Sequence, residues 1–288
     1  MKKIVISLLM GLGMSCAAPK SSAQEFTEHL SREFTLSKEA SGSTLLIYNI
    51  SGFIKVEGYA GTKVLVEMNK TISADDAKTL ETGKTEFKLG FDQNPDSIMV
   101  YIAEPYDSRP HNNWHMNNDR QEINYQYHVD FTVKVPFAMN LHISTVNDGI
   151  VIVNGVHGNL HVTNVNAGII ITDAKGTTQA HTVNGDITVS YVSNPPEQSS
   201  YHTINGDIRV NYQPDLSADL QFKSMNGEFF TDFPDAELLS PSTTIKHEKN
   251  DGKTVYKINK TTSVRFGKGG KTFKLETLNG NVYIKKQS

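Results

Sequence analysis

The chain has 288 residues, a formal net charge of −3 and 20% charged residues. So small a net charge favours neither a nucleic-acid partner nor a membrane surface, and the length fits one extended domain or one domain with a differently built front section. The only cysteine is Cys16, which excludes an intramolecular disulfide.

Residues 1–23 have the pattern of an export signal. Lys2 and Lys3 precede an apolar run over residues 4–18, which is too short for a stable membrane span. Two processing sites compete. Residues 21–23, Ser-Ser-Ala, form a small-x-small signal-peptidase site, whereas the five residues that end at Cys16 are similar to a lipobox and would make Cys16 a lipidated first residue. Both alternatives predict export to the periplasm, the outer membrane or the exterior, with a lipid anchor as the only membrane attachment.

Residues 24–140 are predicted to form an N-terminal β section, because several segments are β-branched or alternate between apolar and polar residues. The predicted strands cover residues 44–48, 53–56, 63–68, 97–102 and 127–135. One short helix is predicted within residues 73–88, with its cap between Ser73 and Asp76 and with Leu80 as its apolar face. We expect this section to cap or extend the rest of the fold, since an uncovered sheet end is prone to aggregation.

A polar segment, residues 105–126, precedes the last of these strands. It contains His111, the only tryptophan (Trp114) and His115. A tryptophan in a polar loop favours a binding loop for a sugar or a protein. The alternative is a long hairpin connection whose tryptophan folds back onto the domain.

From residue 141 to 288 the chain repeats one short phrase in which an asparagine stands at a turn between two apolar residues. The repeated asparagines are Asn147, Asn166, Asn184, Asn205, Asn226 and Asn279. Neighbouring asparagines are 18 to 21 residues apart, except that the last follows after 53 residues. A period near 20 residues is typical of a solenoid, in which each coil stacks on the next.

Apolar and polar residues alternate on both sides of each asparagine, which predicts half-buried strands joined by a turn. The column three residues after the asparagine contains Ile150, Ile169, Ile187, Ile208, Phe229 and Val282, and the column five after it contains Ile152, Ile171, Val189, Val210, Thr231 and Ile284. Because the columns match at the full period, we predict a parallel β-helix-like solenoid whose apolar ladders point inward, with strands about 4.8 Å apart. An antiparallel sandwich of hairpins is the alternative.

The repeated phrase, of Val, Ile, Met or Leu, then Asn, Gly, an Asp, Glu or Asn, and an apolar residue, resembles the putative adhesin domain family of bacterial envelope proteins. The segment 48–58 and the Gly-rich segment 267–270 ahead of 275–280 share this resemblance, which extends from about residue 34 to residue 286. The resemblance implies an all-β solenoid exposed to the periplasm or the exterior. It brings no known catalytic residues.

Three acidic residues, Asp186, Asp207 and Glu228, occupy the same position of the repeat and are predicted on three successive coils. Their carboxylates would then lie about 5 Å apart, and a calcium ion could relieve their repulsion. The same spacing suits a pair of carboxylates in a retaining glycosidase. The simpler alternative is that the three side chains point into water beyond a tight turn and bind no metal.

Histidines form a second repeated pattern. His142 and His161 share one position on adjacent coils, and His181 and His202 share the position two residues along. Imidazoles at this spacing could bind zinc or copper, although exposed histidines on a strand need no ligand. The six repeated asparagines are interpreted as a structural turn ladder whose amides bond from coil to coil, not as a ligand site.

The last section, residues 245–288, contains eleven Lys or Arg and three acidic residues. It could contact a polyanion, or it could be a solvated strand face that protects a sheet edge. Because no nucleophile elbow, phosphate loop or zinc-helix motif is present in the sequence, we expect a non-enzymatic protein without cofactors that binds a glycan, an envelope component or a partner protein. The alternatives are a polysaccharide-acting enzyme that uses Asp186, Asp207 or Glu228, and a purely structural envelope component.

Overall fold

A computed structural model describes residues 23–110, 122–250 and 253–287, and it describes side chains outside residues 241–261. The predicted export signal with Cys16, and the loop residues His111, Trp114 and His115, lie outside the described residues. Within the described part of the chain, no helix is long and apolar enough to cross a membrane.

The described residues form β-strands and one short α-helix. The elements are β1 (Gln24–Thr35), β2 (Thr44–Tyr48), β3 (Ile54–Tyr59), β4 (Lys63–Ala74), α1 (Ala77–Glu86), β5 (Lys88–Asn94), β6 (Ser97–Glu104), β7 (Gln126–Pro136), β8 (Asn140–Ser144), β9 (Val151–Asn154), β10 (Leu160–Thr163), β11 (Ile169–Ala174), β12 (Thr178–His181), β13 (Ile187–Tyr191), β14 (Ser200–His202), β15 (Ile208–Tyr212), β16 (Ala218–Lys223), β17 (Phe229–Thr231), β18 (Glu237–Asn250), β19 (Lys253–Phe266), β20 (Lys271–Glu276) and β21 (Val282–Lys286).

The strands form two long sheets. Sheet A has the order β1-β4-β7-β3-β9-β11-β13-β15-β21-β17, and sheet B has the order β18-β19-β16-β20-β14-β12-β10-β8-β2-β6-β5. From β8 to β17 the chain alternates between the sheets, so one strand of each sheet and the turn between them form a coil. Neighbouring coils pair in parallel. These long parallel sheets are compatible with the predicted solenoid, and they contradict the alternative of an antiparallel sandwich.

The apolar columns point inward between the two sheets. Ile187 pairs with Ile169 on one side and with Ile208 on the other, and all three side chains are fully buried. The predicted columns are wrong at the first repeat, where Val151 pairs with Ile169 and Val153 pairs with Ile171 in place of Ile150 and Ile152. The reason is that the turn after Asn147 contains one residue more than the turns of the other coils.

The last coil in sequence is not the last coil in space. Strand β21 pairs with both β15 and β17, and β20 pairs with both β14 and β16. After β17 the chain forms the long hairpin β18–β19, which pairs antiparallel with β16. A turn with left-handed backbone at Gly267 (φ 56°) and Gly269 (φ 70°) then returns the chain, so that β20 lies between β14 and β16. The final coil is therefore inserted between two earlier ones.

The N-terminal section extends both sheets. Strands β2 and β6 continue the parallel part of sheet B, β3 and β7 continue that of sheet A, and β1, β4 and β5 add antiparallel strands at the front. The predicted helix is confirmed as Ala77–Glu86. Its cap is Asp76, whose Oδ1 accepts the backbone N–H of Thr79 at 2.9 Å, and Leu80 is buried. Buried side chains from the inner faces of both sheets form one continuous core.

Candidate functional site

The six repeated asparagines lie in one ladder at the corner between the sheets. In the spatial order Asn147, Asn166, Asn184, Asn205, Asn279, Asn226, the side-chain amide of each asparagine after the first donates to the Oδ1 of the one before it, at 2.7 to 3.0 Å. These bonds use polar groups that would otherwise be available to a ligand. The ladder thus serves the turns, and it defines a straight corner along which the other candidate residues can be placed.

Asp186 and Asp207 lie on neighbouring coils and share one arginine. The Nη1 of Arg209 is 2.7 Å from Asp186 Oδ2, and its Nη2 is 2.5 Å from Asp207 Oδ2. Desolvation, the largest influence on the pKa of Arg209, acts to lower it, but the hydrogen bond to Asp186 and the charges of both carboxylates raise the pKa overall. The guanidinium therefore supplies the positive charge that the calcium hypothesis assigns to a metal ion.

The expectation of three successive acidic coils is wrong for Glu228. Because β21 lies between β15 and β17, Asn281 stands between Asp207 and Glu228 in space. The backbone N–H of Asn281 donates to Asp207 Oδ1 at 2.8 Å, and the N–H of Glu228 donates to Asn281 Oδ1 at 2.9 Å. Among the side chains that the structure describes, no three His, Cys, Asp or Glu are grouped so as to hold a metal ion.

The four repeated histidines form two ring pairs on the outer face of sheet B. The rings of His142 and His161 have centroids 4.3 Å apart, and those of His181 and His202 are stacked at 4.7 Å. Burial and, secondly, the neighbouring histidine lower the pKa of His142 and of His181. His202 Nδ1 also lies 3.5 Å from Glu276 Oε2. Each pair is thus a two-imidazole contact, which offers a metal ion fewer ligands than the four of a closed zinc site.

An aromatic–arginine row, formed by Arg209, Tyr283 and Phe230, crosses three adjacent strands on the outer face of sheet A. The rings of Phe230 and Tyr283 are stacked, with centroids 5.0 Å apart and planes 10° apart. The guanidinium carbon of Arg209 is 5.2 Å from the centroid of the Tyr283 ring. Phe230 is 41% exposed and belongs to the edge strand of the sheet. The row is therefore an ordered, solvent-facing surface of aromatic rings and one cation.

A pocket of about 330 Å³ opens at the front end of the asparagine ladder. Its polar lining includes Ser51, Thr71, Gln126, His128 and Asp148. Ser51 pairs with Asn147 through an isolated parallel β-bridge, as asparagines of neighbouring later coils pair with each other. Ser51 therefore takes the place that asparagine holds in the later coils. The pocket consequently lies where the regular repeat ends.

Ser51, His128 and two aspartates are connected in this pocket wall. Ser51 Oγ donates to Asp148 Oδ2 at 2.9 Å and lies 3.3 Å from His128 Nδ1, whose other ring nitrogen is 2.8 Å from Asp130 Oδ1. Asp130 Oδ1 also accepts the backbone N–H of Phe53 at 3.0 Å. The cluster is therefore anchored to the main chain on its inner side and open to the pocket on the other.

The backbone around the cluster is closely packed. At Gly52, where φ is 119°, a Cβ atom would lie 2.1 Å from the carbonyl oxygen of Val129, so a larger residue cannot replace this glycine. Asp148 has a left-handed backbone with φ of 58° although it is not a glycine. Aspartate adopts this conformation more readily than most residues because its short polar side chain can bond locally, so it suits the lengthened turn.

Several of these residues are not among the site residues predicted from the sequence. Ser51 could have been found from a departure from the repeat, namely a serine in place of the asparagine, whereas the extra residue Asp148 and the position of His128 on β7 leave no mark in the repeat. Arg209, Tyr283 and Phe230 could not be brought together by sequence order, because Tyr283 belongs to the inserted last coil.

The chain is similar to three solved structures, each with 10% sequence identity. They are a putative cell adhesion protein from Clostridium sporogenes (92% of this chain and 100% of that chain covered, TM-score 0.40), a putative adhesin from Bacteroides fragilis (90% and 97%, TM-score 0.34) and a putative lipid binding protein from Parabacteroides distasonis (90% and 97%, TM-score 0.26). A search of curated proteins found no match. Residues 126–263, which extend from the first residue of β7 into β19, match the family described as Toastrack DUF4097.

Proposed function

We propose that this protein is a non-enzymatic β-solenoid of the bacterial cell surface, exported and either secreted or attached to the envelope, which binds an extracellular glycan. The observation that carries the proposal is the exposed aromatic–arginine row. Aromatic residues and arginine are enriched at the centres of binding surfaces, where they bury large areas at small cost in conformational entropy.

The position of the row supports a binding role. Its three side chains stand on adjacent, hydrogen-bonded strands above fully buried Val282 and Ile284, so the surface is rigid before a ligand arrives. A preorganised surface loses less free energy on binding than a flexible loop does. The carboxylates of Asp186 and Asp207 lie beside the arginine and can accept hydrogen bonds from hydroxyl groups, while the rings offer apolar faces.

The arrangement of the acidic residues opposes the retaining-glycosidase form of the enzyme alternative. A retaining glycosidase needs one carboxyl group as a protonated general acid. Arg209 forms salt bridges with both Asp186 and Asp207, so neither carboxyl group can take this role without giving up a salt bridge. Glu228 lies two coils from Asp207, with Asn281 between them, which at about 4.8 Å for each coil is wider than the spacing of such a pair.

The experiment that tests this proposal combines binding with product analysis. Residues 24–288 would be applied to an array of bacterial surface glycans, and each glycan bound would then be incubated with the protein and its chain length measured. We expect retention of at least one glycan and no shortening. Shortened products that disappear in Asp207→Asn would contradict the proposal and favour the enzyme, and an absence of glycan binding would contradict it as well.

A further inference from the structure

We infer that the pocket at the front end of the asparagine ladder is a binding site for one uncharged saccharide residue, recognised through its hydroxyl groups. The inference rests on the proposed function only in the class of ligand, because the pocket and the aromatic–arginine row are separate surfaces. Arg209 of the row is four strands away from β3, which corresponds to about 19 Å at the usual strand spacing.

The repeat is broken at the front end of the asparagine ladder, where the pocket lies. In the later coils, the turn asparagine is bonded to the asparagine of the next coil, which leaves few free polar groups at the corner. At the front end, Ser51 replaces the asparagine and Asp148 is added in the turn. In a protein whose repeat is otherwise regular, such departures are expected at functional positions.

One wall of the pocket presents several hydrogen-bonding groups. The Ser51 hydroxyl lies in this wall between two partners. It is 3.3 Å from the His128 imidazole and 2.9 Å from the Asp148 carboxylate. Both ring nitrogens of His128 contact Ser51 and Asp130, and the Ser51 proton goes to Asp148, so the groups left for a ligand are the second oxygen of the Asp148 carboxylate and a lone pair of the Ser51 hydroxyl, both of which accept. These acceptors fit a ligand whose hydroxyl groups can donate to them, as in a sugar.

The rigidity of the wall strengthens this argument. The buried amide of Asn49 donates to the carbonyl oxygens of Ser51 at 3.1 Å and of Val129 at 2.9 Å, which fixes the turn against β7. Asp130 is bonded to both His128 and the main chain of Phe53, so it sets the orientation of the imidazole. Groups fixed in this way can recognise the positions of individual hydroxyls.

The charged side chains of the pocket lining are acidic. The lining of the pocket contains Asp148, with Asp130 behind His128, and no Lys or Arg among the described residues. A phosphate, sulfate or carboxylate would therefore meet the Asp148 carboxylate with no lysine or arginine in this lining to compensate. Ile50, Ile123, Tyr125 and Tyr127 also line the pocket and can contact the carbon–hydrogen face of a sugar ring. The lining consequently disfavours an anion, and its hydrogen-bond acceptors and apolar faces suit a polyhydroxylated ligand.

The test is a titration of residues 24–288, followed by NMR, with the methyl glycosides of glucose, galactose, mannose and N-acetylglucosamine, each alone, and with glucuronate and glucosamine as charged probes. We expect at least one neutral glycoside to bind, with shifts at Ser51, His128 and Asp148, and glucuronate to leave these signals unchanged. Asp148→Asn should weaken the binding about tenfold or more, because a hydrogen bond to a charged acceptor is lost.

The matched control is Asp173→Asn. Asp173 is the second non-glycine residue with a left-handed backbone (φ 56°), and it is exposed at the opposite corner of its coil. Asp173→Asn changes charge and backbone preference in the same way as Asp148→Asn, and it should leave the titration with the neutral glycosides unaltered. His128→Gln, which keeps a polar group, provides a second pocket variant in case Asp148→Asn alters the turn.

Three results would overturn the inference: no neutral glycoside perturbs the pocket, binding persists equally in both pocket variants, or only glucosamine binds. The last would indicate a cation site. The proposed function is tested separately, since Phe230→Ala should weaken binding of the polymer found on the array and leave the glycoside titration intact. Polymer binding without a pocket response would refute the inference alone, whereas a pocket response without polymer binding would refute the proposed function alone.

Discussion

The side-chain amide of Asn279 donates to the Oδ1 of Asn205 at 2.7 Å across 74 residues of sequence. Asn226, which follows Asn205 directly in the repeat, instead donates to Asn279 at 2.8 Å. The C-terminal coil therefore separates two coils that are consecutive in sequence. The spatial neighbours of Asp207, Arg209 and Phe230 all depend on this insertion.

Because the last coil is internal to the stack, its inward residues should contribute as much stability as those of the central coils. Ile284→Ala should lower the free energy of unfolding by about 2–5 kcal/mol, the range for a large-to-small change at a buried site. Ile187→Ala is the matched control, since both isoleucines are fully buried. Denaturant unfolding followed by circular dichroism measures both. A cost below about 0.5 kcal/mol for Ile284→Ala alone would show that the C-terminal strand is a frayed end.

A buried tyrosine cluster should stabilise the middle of the core. The hydroxyls of Tyr191 and Tyr201 are 2.7 Å apart, and that of Tyr212 is 3.3 Å from Tyr201. Tyr201→Phe removes the hydroxyl that the buried hydroxyls of Tyr191 and Tyr212 both contact, which should lower the free energy of unfolding by about 1–3 kcal/mol.

The control for this prediction is Tyr59→Phe. The hydroxyl of Tyr59 donates to the Lys63 carbonyl oxygen at an exposed site, where water can replace the lost bond. The loss in this variant should be smaller than in Tyr201→Phe, as measured by the same unfolding experiment. Equal losses of unfolding free energy in Tyr201→Phe and Tyr59→Phe would show that the buried hydroxyl contacts stabilise the fold no more than an exposed one.

Stability should fall under mildly acidic conditions. The pKa values of His142 and His181 are lowered in the folded state, first by burial and then by the neighbouring rings, so the unfolded chain binds protons more readily. This contribution is fully present above the ordinary histidine pKa of about 6.5 and is lost as the pH falls through that value toward the lower folded-state values. The melting temperature should therefore decrease from pH 7.5 to pH 5.5.

The double variant His142→Gln, His181→Gln should reduce this dependence on pH. His29→Gln is the control, because the pKa of His29 is raised by its hydrogen bond to Asn69 and its contribution has the opposite sign. A melting temperature whose dependence on pH is the same in wild type and in the double variant would show that these imidazoles do not govern the acid response.

Calcium should not stabilise the wild-type protein. The carboxylates of Asp186 and Asp207 already contact the guanidinium of Arg209, so an added calcium ion would have to compete with that side chain for them. The melting temperature of residues 24–288 should be the same with calcium and with a chelator. In Arg209→Ala the same comparison should give a rise with calcium, because a ligand that binds only the folded state stabilises it. A rise of several degrees in the wild type would restore the calcium hypothesis.

The periodic part of the fold could be predicted because burial imposes a strict alternation on every strand. Ile169, Ile187 and Ile208 each stand three residues after an asparagine and form one inward ladder. The first coil departs from this rule because Asp148 lengthens its turn, and a count from the asparagine then places Ile150 where the structure has Val151. An insertion in a turn changes no alternation, so the apolar pattern on its two sides does not reveal it.

The site depends on relationships that sequence order does not contain. The long hairpin between β17 and β20 allows the last coil to return between two earlier ones, and no periodicity specifies where it inserts. Tyr283 consequently stacks on Phe230, which lies 53 residues earlier in the sequence. His128 likewise reaches Ser51 only because β7 pairs with β3.

The most direct test of the proposed function is the dissociation constant of the glycan identified on the array, measured for wild type, Phe230→Ala and Phe137→Ala. Phe137 is a close match, since it is 40% exposed and stacks on the ring of His157 at 5.3 Å. We predict that Phe230→Ala weakens binding at least tenfold, as expected for an aromatic at the centre of a binding surface, and that Phe137→Ala leaves it within about twofold. Equal effects of the two variants, or no effect of Phe230→Ala, would contradict the assignment of binding to the aromatic–arginine row.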